Sequence, residues 1–173
     1  MSFELYGFEH MAYIYIMALS WIVVPFLSNR FLSYENQRVV AICLVVSIIG
    51  IEIIDDIYRV FDSLVGWDIK TDLPLHMCGF SVFATSWALL KRNQIIFELC
   101  YFWGLGGAIQ AILTPDMTGF HGSFYLFTFM VSHGLIILNI FYLIFVYKMI
   151  LHKGALLRTI VITNIMLSGI ALI

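Results

Sequence analysis

The chain alternates between long apolar runs and short polar connections. The apolar runs cover His10–Ser28, Val39–Tyr58, Pro74–Leu90, Ile95–Leu113, Phe124–Tyr147 and Leu156–Ile173. A helix crosses ~30 Å of hydrocarbon in about 20 residues, and each run is of that order. None shows the period-two alternation of barrel strands, so the pattern predicts transmembrane helices. The connections Asn29–Arg38, Arg59–Leu73, Lys91–Gln94, Thr114–Ser123 and Lys148–Ala155 leave no room for a soluble domain. The expectation is an all-α, polytopic transmembrane helix bundle with six visible spans, one domain over residues 1–173. No internal repeat or low-complexity linker breaks it up.

Composition narrows the class further. Hydrophobic residues make up 62% and charged residues 12% of the chain, against about half and about a quarter in a soluble domain. That balance excludes disorder and a soluble nucleotide-fold enzyme. With nine Lys/Arg and a net charge of −2, it also excludes a nucleic-acid partner, which would need a basic surplus. Lys and Arg then set the orientation. Arg30, Arg38, Lys91, Arg92, Lys148, Lys153 and Arg158 fall in or beside the odd-numbered connections, against Arg59 and Lys70 on the other side. Seven against two predicts an N-terminus outside and odd connections in the cytoplasm of a multi-pass cell-membrane protein. The first run has no basic region before it and no small-residue cleavage site, which reads as an anchor rather than a removable signal. The sequence stops at Ile173 inside an apolar run, and a seventh span is expected of a longer chain.

The polar residues inside the runs carry the candidate chemistry, because an ionisable group in a span is costly and usually faces a cavity or a partner. Glu52, Asp55, Asp56 and Arg59 stand at i, i+3, i+4 and i+7, on one helical face. A helix end emerging into water with an ordinary Asp–Arg pair is the plain alternative for that cluster, and Glu52, a turn deeper, fits it least. If Glu52 pairs with Arg59 or His76 in a low-dielectric site, removing its charge should cost on the order of 3–5 kcal/mol. The third run opens with Asp72, Pro74, His76 and Cys78. Pro74 suits a first helical turn, and Asp72 can orient His76. His76 and Cys78 are two residues apart, about 200° around a helix, so a base for Cys78 must come from another helix. The fifth run supplies Thr128, Ser132, His133 and Asn139, with His133 the candidate base and Ser132 and Asn139 near the same polar side; an interhelical structural hydrogen bond is the plain alternative for His133. The small residues of Trp103–Gln110 read as close backbone packing, with Gln110 the polar exception. Cys43 and Cys100 fall near the inner side, so the three cysteines form no disulfide framework. By depth, Glu52, Asp55, Asp56, Arg59, Asp72, His76, Cys78, Gln110 and Asp116 all belong to the outer part, with Glu98 the main inner acid. One polar pocket opening outward between spans two to five is the expectation.

Three ordered motifs carry a resemblance: Leu-Pro-Leu-His-Met-Cys over 73–78, the run Tyr101–Asp116 with its Trp-Gly-Leu-Gly-Gly-Ala-Ile-Gln core, and Phe-Met-Val-Ser-His-Gly over 129–134. Together they resemble the YwaF-like bacterial integral membrane proteins grouped with the transmembrane protein 164 family, over essentially the whole chain. That resemblance implies a further span beyond Ile173. It also implies phospholipid acyl transfer by a cysteine, with Cys78 as the counterpart of the catalytic one; the activity comes over as analogy.

Three functions stay open at this level. In an acyltransferase or lipid hydrolase acting on membrane lipids, Cys78 is acylated, His133 takes its proton and His76 assists the leaving group. Glu52, Asp55, Asp56, Arg59, Asp72, Gln110 and Asp116 hold the substrate. In a metal-dependent hydrolase, His76, His133 and carboxylates from Asp72, Glu52 or Asp55 bind zinc, although no HExxH or HxxxH spacing occurs. In a small transporter or solute-binding protein, the same groups bind a solute or lock helices. No resident metal or other cofactor is expected from the motifs.

Overall fold

The structure, a computed structural model, describes residues 3–61, 77–116 and 122–170. Among these residues there is no strand, and the chain forms six helical rods. These are α1 Phe8–Phe31, α2 Tyr34–Phe61, α3 Met77–Lys91, α4 Gln94–Leu113, α5 Ser123–Phe145 and α6 Ala155–Ile170. Helices α1, α4 and α5 are each long and apolar enough to cross a membrane. Large apolar side chains on α1 face outward, with Leu19 63%, Ile22 68% and Phe26 62% exposed. Such a surface is at home against lipid and would drive aggregation in water. The chain is a helical membrane protein.

Helix α5 is the axis of the bundle, packing against α1, α2, α3 and α4, while α6 leans on α4. Its most apolar stretch is 67% buried, against 17% for α1, so α5 sits inside and α1 on the rim. Glycine lets α4 approach α5 closely. A Cβ added at Gly104 of α4 would lie 2.8 Å from Ile136 Cγ2 and also strike Ile140 of α5. The small-residue stretch is thus packing at this position, as expected. Gly104→Ala should destabilise the protein by about 1–3 kcal/mol, the usual range for overpacking, read as a lower unfolding temperature in detergent. An equally stable variant would contradict this contact.

The basic connections gather at one end. Gln37 Nε2 of α2 donates to the Ser28 and Leu32 carbonyls, closing off α1, and Tyr142 of α5 donates to the Gln37 carbonyl at 2.8 Å. Arg92, in the left-handed region at φ 53°, donates to Tyr34 Oη at 2.7 Å and lies 4.0 Å above the Tyr147 ring. Asn93 caps α4 by accepting from the Ile96 N–H. The expected polar connection Asn29–Arg38 is largely helical instead, since only Leu32 and Ser33 separate α1 from α2. Polar residues at a helix end extend it into the interface, where long side chains keep their heads in water.

At the opposite end, Pro115 follows the end of α4 and cannot donate a backbone hydrogen bond. His10 takes up one freed carbonyl: its Nε2–H donates to Ile112 at 2.7 Å while Nδ1 accepts from the Tyr6 N–H. The buried ring ties the start of α1 to the end of α4.

Candidate functional site

Helices α2 and α5 run antiparallel, and their polar faces meet residue by residue. Ser132 donates to the Glu52 carboxylate. Four residues earlier, Thr128 donates to Asp55 at 2.5 Å. Three residues earlier again, Tyr125 lies under the Arg59 guanidinium, 4.9 Å from its ring centre, and Arg59 Nε binds Asp55 Oδ2 at 2.7 Å. A step of three on one helix meets a step of four on the other, which is how two 3.6-residue periods stay in register.

These side chains form one wall of a cavity of about 600 Å³. Cys78, at the start of α3, and Gly107, Gln110, Thr114 and Asp116, at the end of α4, form the other walls. The cavity therefore sits at the end away from the basic connections, between α2, α3, α4 and α5. A single-turn π-helix over Gly104–Ala108 interrupts α4 beside it. One extra residue per turn re-aims the following side chains, and such turns recur at functional sites. A Cβ added at Gly107 would stand 3.6 Å from Cys78 Sγ, so the thiol rests close to bare backbone. His133 is buried on the same cavity, and its Nδ1–H donates to the Phe129 carbonyl at 2.8 Å. That bond fixes the neutral tautomer with Nε2 as the basic nitrogen.

The structure brings together Glu52, Asp55, Asp56, Arg59, Cys78, Gln110, Asp116 and His133 on one cavity. Asp72 and His76 lie outside the described residues, as do Lys70 and His121. Two expected pairings are corrected. Arg59 engages Asp55, the Asp–Arg pair of the plain alternative, rather than Glu52, because i to i+4 brings Asp55 directly beneath it, while Glu52 turns to Ser132. Ser132 and Asn139 do not support His133. Ser132 faces α2, and Asn139 faces α3, where its amide is 3.4 Å from Thr85. Thr128 and Ser132, noted from sequence beside His133, line the cavity, and Tyr125, Phe129 and Gly107 join them without having been singled out. The Tyr125, Thr128, Ser132 spacing matching Glu52, Asp55, Arg59 was the available signal. Among the described residues no group of three or more His, Cys, Asp or Glu is placed to hold a metal ion.

The chain matches the family model of the TMEM164 family over residues 5–173. It belongs to the TMEM164 family. An uncharacterized protein of Treponema pallidum (strain Nichols) is 27% identical to this TMEM164-family chain over 120 residues, 69% of the chain and 48% of that protein. The chain thus spans about half the length of that relative. No solved structure matches this member of the TMEM164 family. Within the matched region lie all eight cavity residues expected from sequence, from Glu52 on α2 to His133 on α5.

Proposed function

We propose that this chain is a multi-pass cell-membrane enzyme that transfers acyl groups between phospholipids or hydrolyses them, with Cys78 as nucleophile and His133 as its base. The observation that supports this reading is that the two residues, from different helices, line one cavity with Gln110 and the acidic face of α2. In the reaction His133 Nε2 accepts the Sγ–H proton as sulfur attacks the ester carbonyl. The tetrahedral intermediate collapses to a Cys78 thioester, and the departing lysolipid oxygen takes the proton back from His133. A second lipid hydroxyl, or water, then attacks the thioester, passes its proton through His133 to sulfur and frees the thiol. Gln110 supplies an amide N–H donor toward the carbonyl oxygen. Asp72 and His76 are the sequence's further candidates for orienting the leaving group.

The proposed topology has six spans, an N-terminus outside and the cavity opening outward, in line with the positive charges gathered at the other end. In a chain whose own cysteines are replaced, a membrane-impermeant thiol reagent should modify Ser123→Cys in intact cells and spare Lys153→Cys. The reverse pattern would move the cavity to the cytoplasmic face. For the reaction, phospholipid acyl composition of cells lacking the protein should be restored by the wild-type chain but not by Cys78→Ser. Full restoration by Cys78→Ser would end the acyl-enzyme reading.

A further inference from the structure

A second cavity, of about 320 Å³, runs between α1 and α5 far from the acidic one. Phe26, Phe141 and Phe145 form its walls, Trp21 lies at one end, and Asn29 and Lys148 lie at the other. From Trp21 to Asn29 is eight residues, about 12 Å along a helix, so the groove reaches from the basic end toward mid-bundle. Its deep end is fixed, because Trp21 Nε1–H donates to the Gly134 carbonyl at 2.9 Å and the ring packs edge-on against Phe141. Two of the cations at this end are already engaged. Arg92 is taken up by Tyr34 and Tyr147, and Arg158 by Glu98. Lys148 is exposed, follows the end of α5 at φ 56° and has no ion-pair partner among the described residues.

An apolar slot with a lysine and a carboxamide at its interfacial end complements one chemistry: an acyl chain attached to an anionic headgroup. The geometry points to a structural binding site for an anionic phospholipid, its chain along Phe26, Phe141 and Phe145 and its headgroup at Lys148 and Asn29. Basic pockets between helices at the positively charged face hold such headgroups by the same attraction. The site is independent of the acidic cavity and of any reaction there.

Trp21 reports on the occupant directly. In a variant that keeps Trp21 as its sole tryptophan, phosphatidylglycerol with brominated chains should quench its fluorescence. It should do so at about fivefold lower mole fraction than brominated phosphatidylcholine, the preference one interfacial lysine confers. Lys148→Gln should erase that preference, and Lys153→Gln, at the same end but off the groove, should keep it. Should the single-tryptophan variant fold poorly, the unfolding temperature of the full chain titrated with the two lipids reads the same preference. Equal effects of the two lipids, no effect of either, or an equal loss in Lys153→Gln would each overturn the site.

Discussion

Cys78 should be the first of the three cysteines to react with a water-soluble electrophile, and His133→Ala should slow that reaction by about 10²–10⁴-fold, the usual contribution of a positioned base. The three thiols differ in setting more than in kind. Cys100 is fully buried in the core and offers no approach. Cys43 is exposed, but on an α2 surface beside Ile42 and Val46, which faces lipid in the proposed topology. Cys78 alone lines the polar cavity. A thiol in apolar surroundings is a poor nucleophile without a base, so solvent access alone predicts slow labelling that His133→Ala leaves unchanged. The acyl-enzyme mechanism predicts fast labelling that the same substitution suppresses. Metal-dependent hydrolysis would show instead as tolerance of Cys78→Ser with loss of activity on chelation or in His76→Ala. A solute-binding role would show no selective reactivity at Cys78. Labelling of Cys78 and Cys43 at equal rates, indifferent to His133, would leave the cysteine without a catalytic part.

What the sequence revealed was depth along each helix, and what it hid was register between helices. The apolar runs mark α1, α4 and α5 within a few residues, because a span must be apolar over a length the bilayer dictates. Gathering Cys78, His133 and the α2 acids toward one end also follows from depth, since each lies in the half of its helix nearer that end. Which partner each group takes depends on how two helices rotate against each other. That is why Ser132 was grouped with His133, its neighbour in sequence, when it bonds Glu52 across the interface. The π-turn at Gly104–Ala108 was equally hidden. A run of small residues permits close packing with either four or five residues to the hydrogen bond, and only the neighbouring Ile136 and Ile140 side chains show which faces had to meet.

The revised pairing changes what Glu52 is expected to do. With a cation as partner, its removal would strand a charge and cost several kcal/mol. With Ser132 as partner, Glu52→Gln retains an oxygen to accept the same hydrogen bond. The loss of stability should then be about 1 kcal/mol or less. A larger drop in unfolding temperature would point to a cation that Glu52 serves besides Ser132. The energetic weight moves to the other acid inside the bundle, at the far end.

Arg158→Met should destabilise the protein more than Glu98→Leu, and the order of the two is the test. Glu98 is 1% exposed and accepts from four groups. Arg158 binds it from two nitrogens at 2.7–2.9 Å, Gln94 donates at 3.0 Å, and the His152 N–H approaches at 3.4 Å. The pair joins α4 to α6 and to the connection before it, and is the only ionic tie that α6 makes among the described residues. The partners are not equivalent, for the Arg158 side chain is 41% exposed and its carboxylate partner is not. Deleting the arginine leaves a buried charge with two weaker donors, a loss on the order of 3–5 kcal/mol. Deleting the carboxylate lets the guanidinium swing outward on its apolar stem and recover water, holding the loss to about 1.5–3 kcal/mol, the range for a hydrogen bond to a charged group. The double replacement, Glu98→Leu with Arg158→Met, should be more stable than Arg158→Met alone, because no charge is then left in the packed interface. Unfolding temperatures of the three variants in one detergent decide it. If Glu98→Leu proves the more damaging, the carboxylate's bonds to Gln94 and to the connection at His152 outweigh its tie to the arginine.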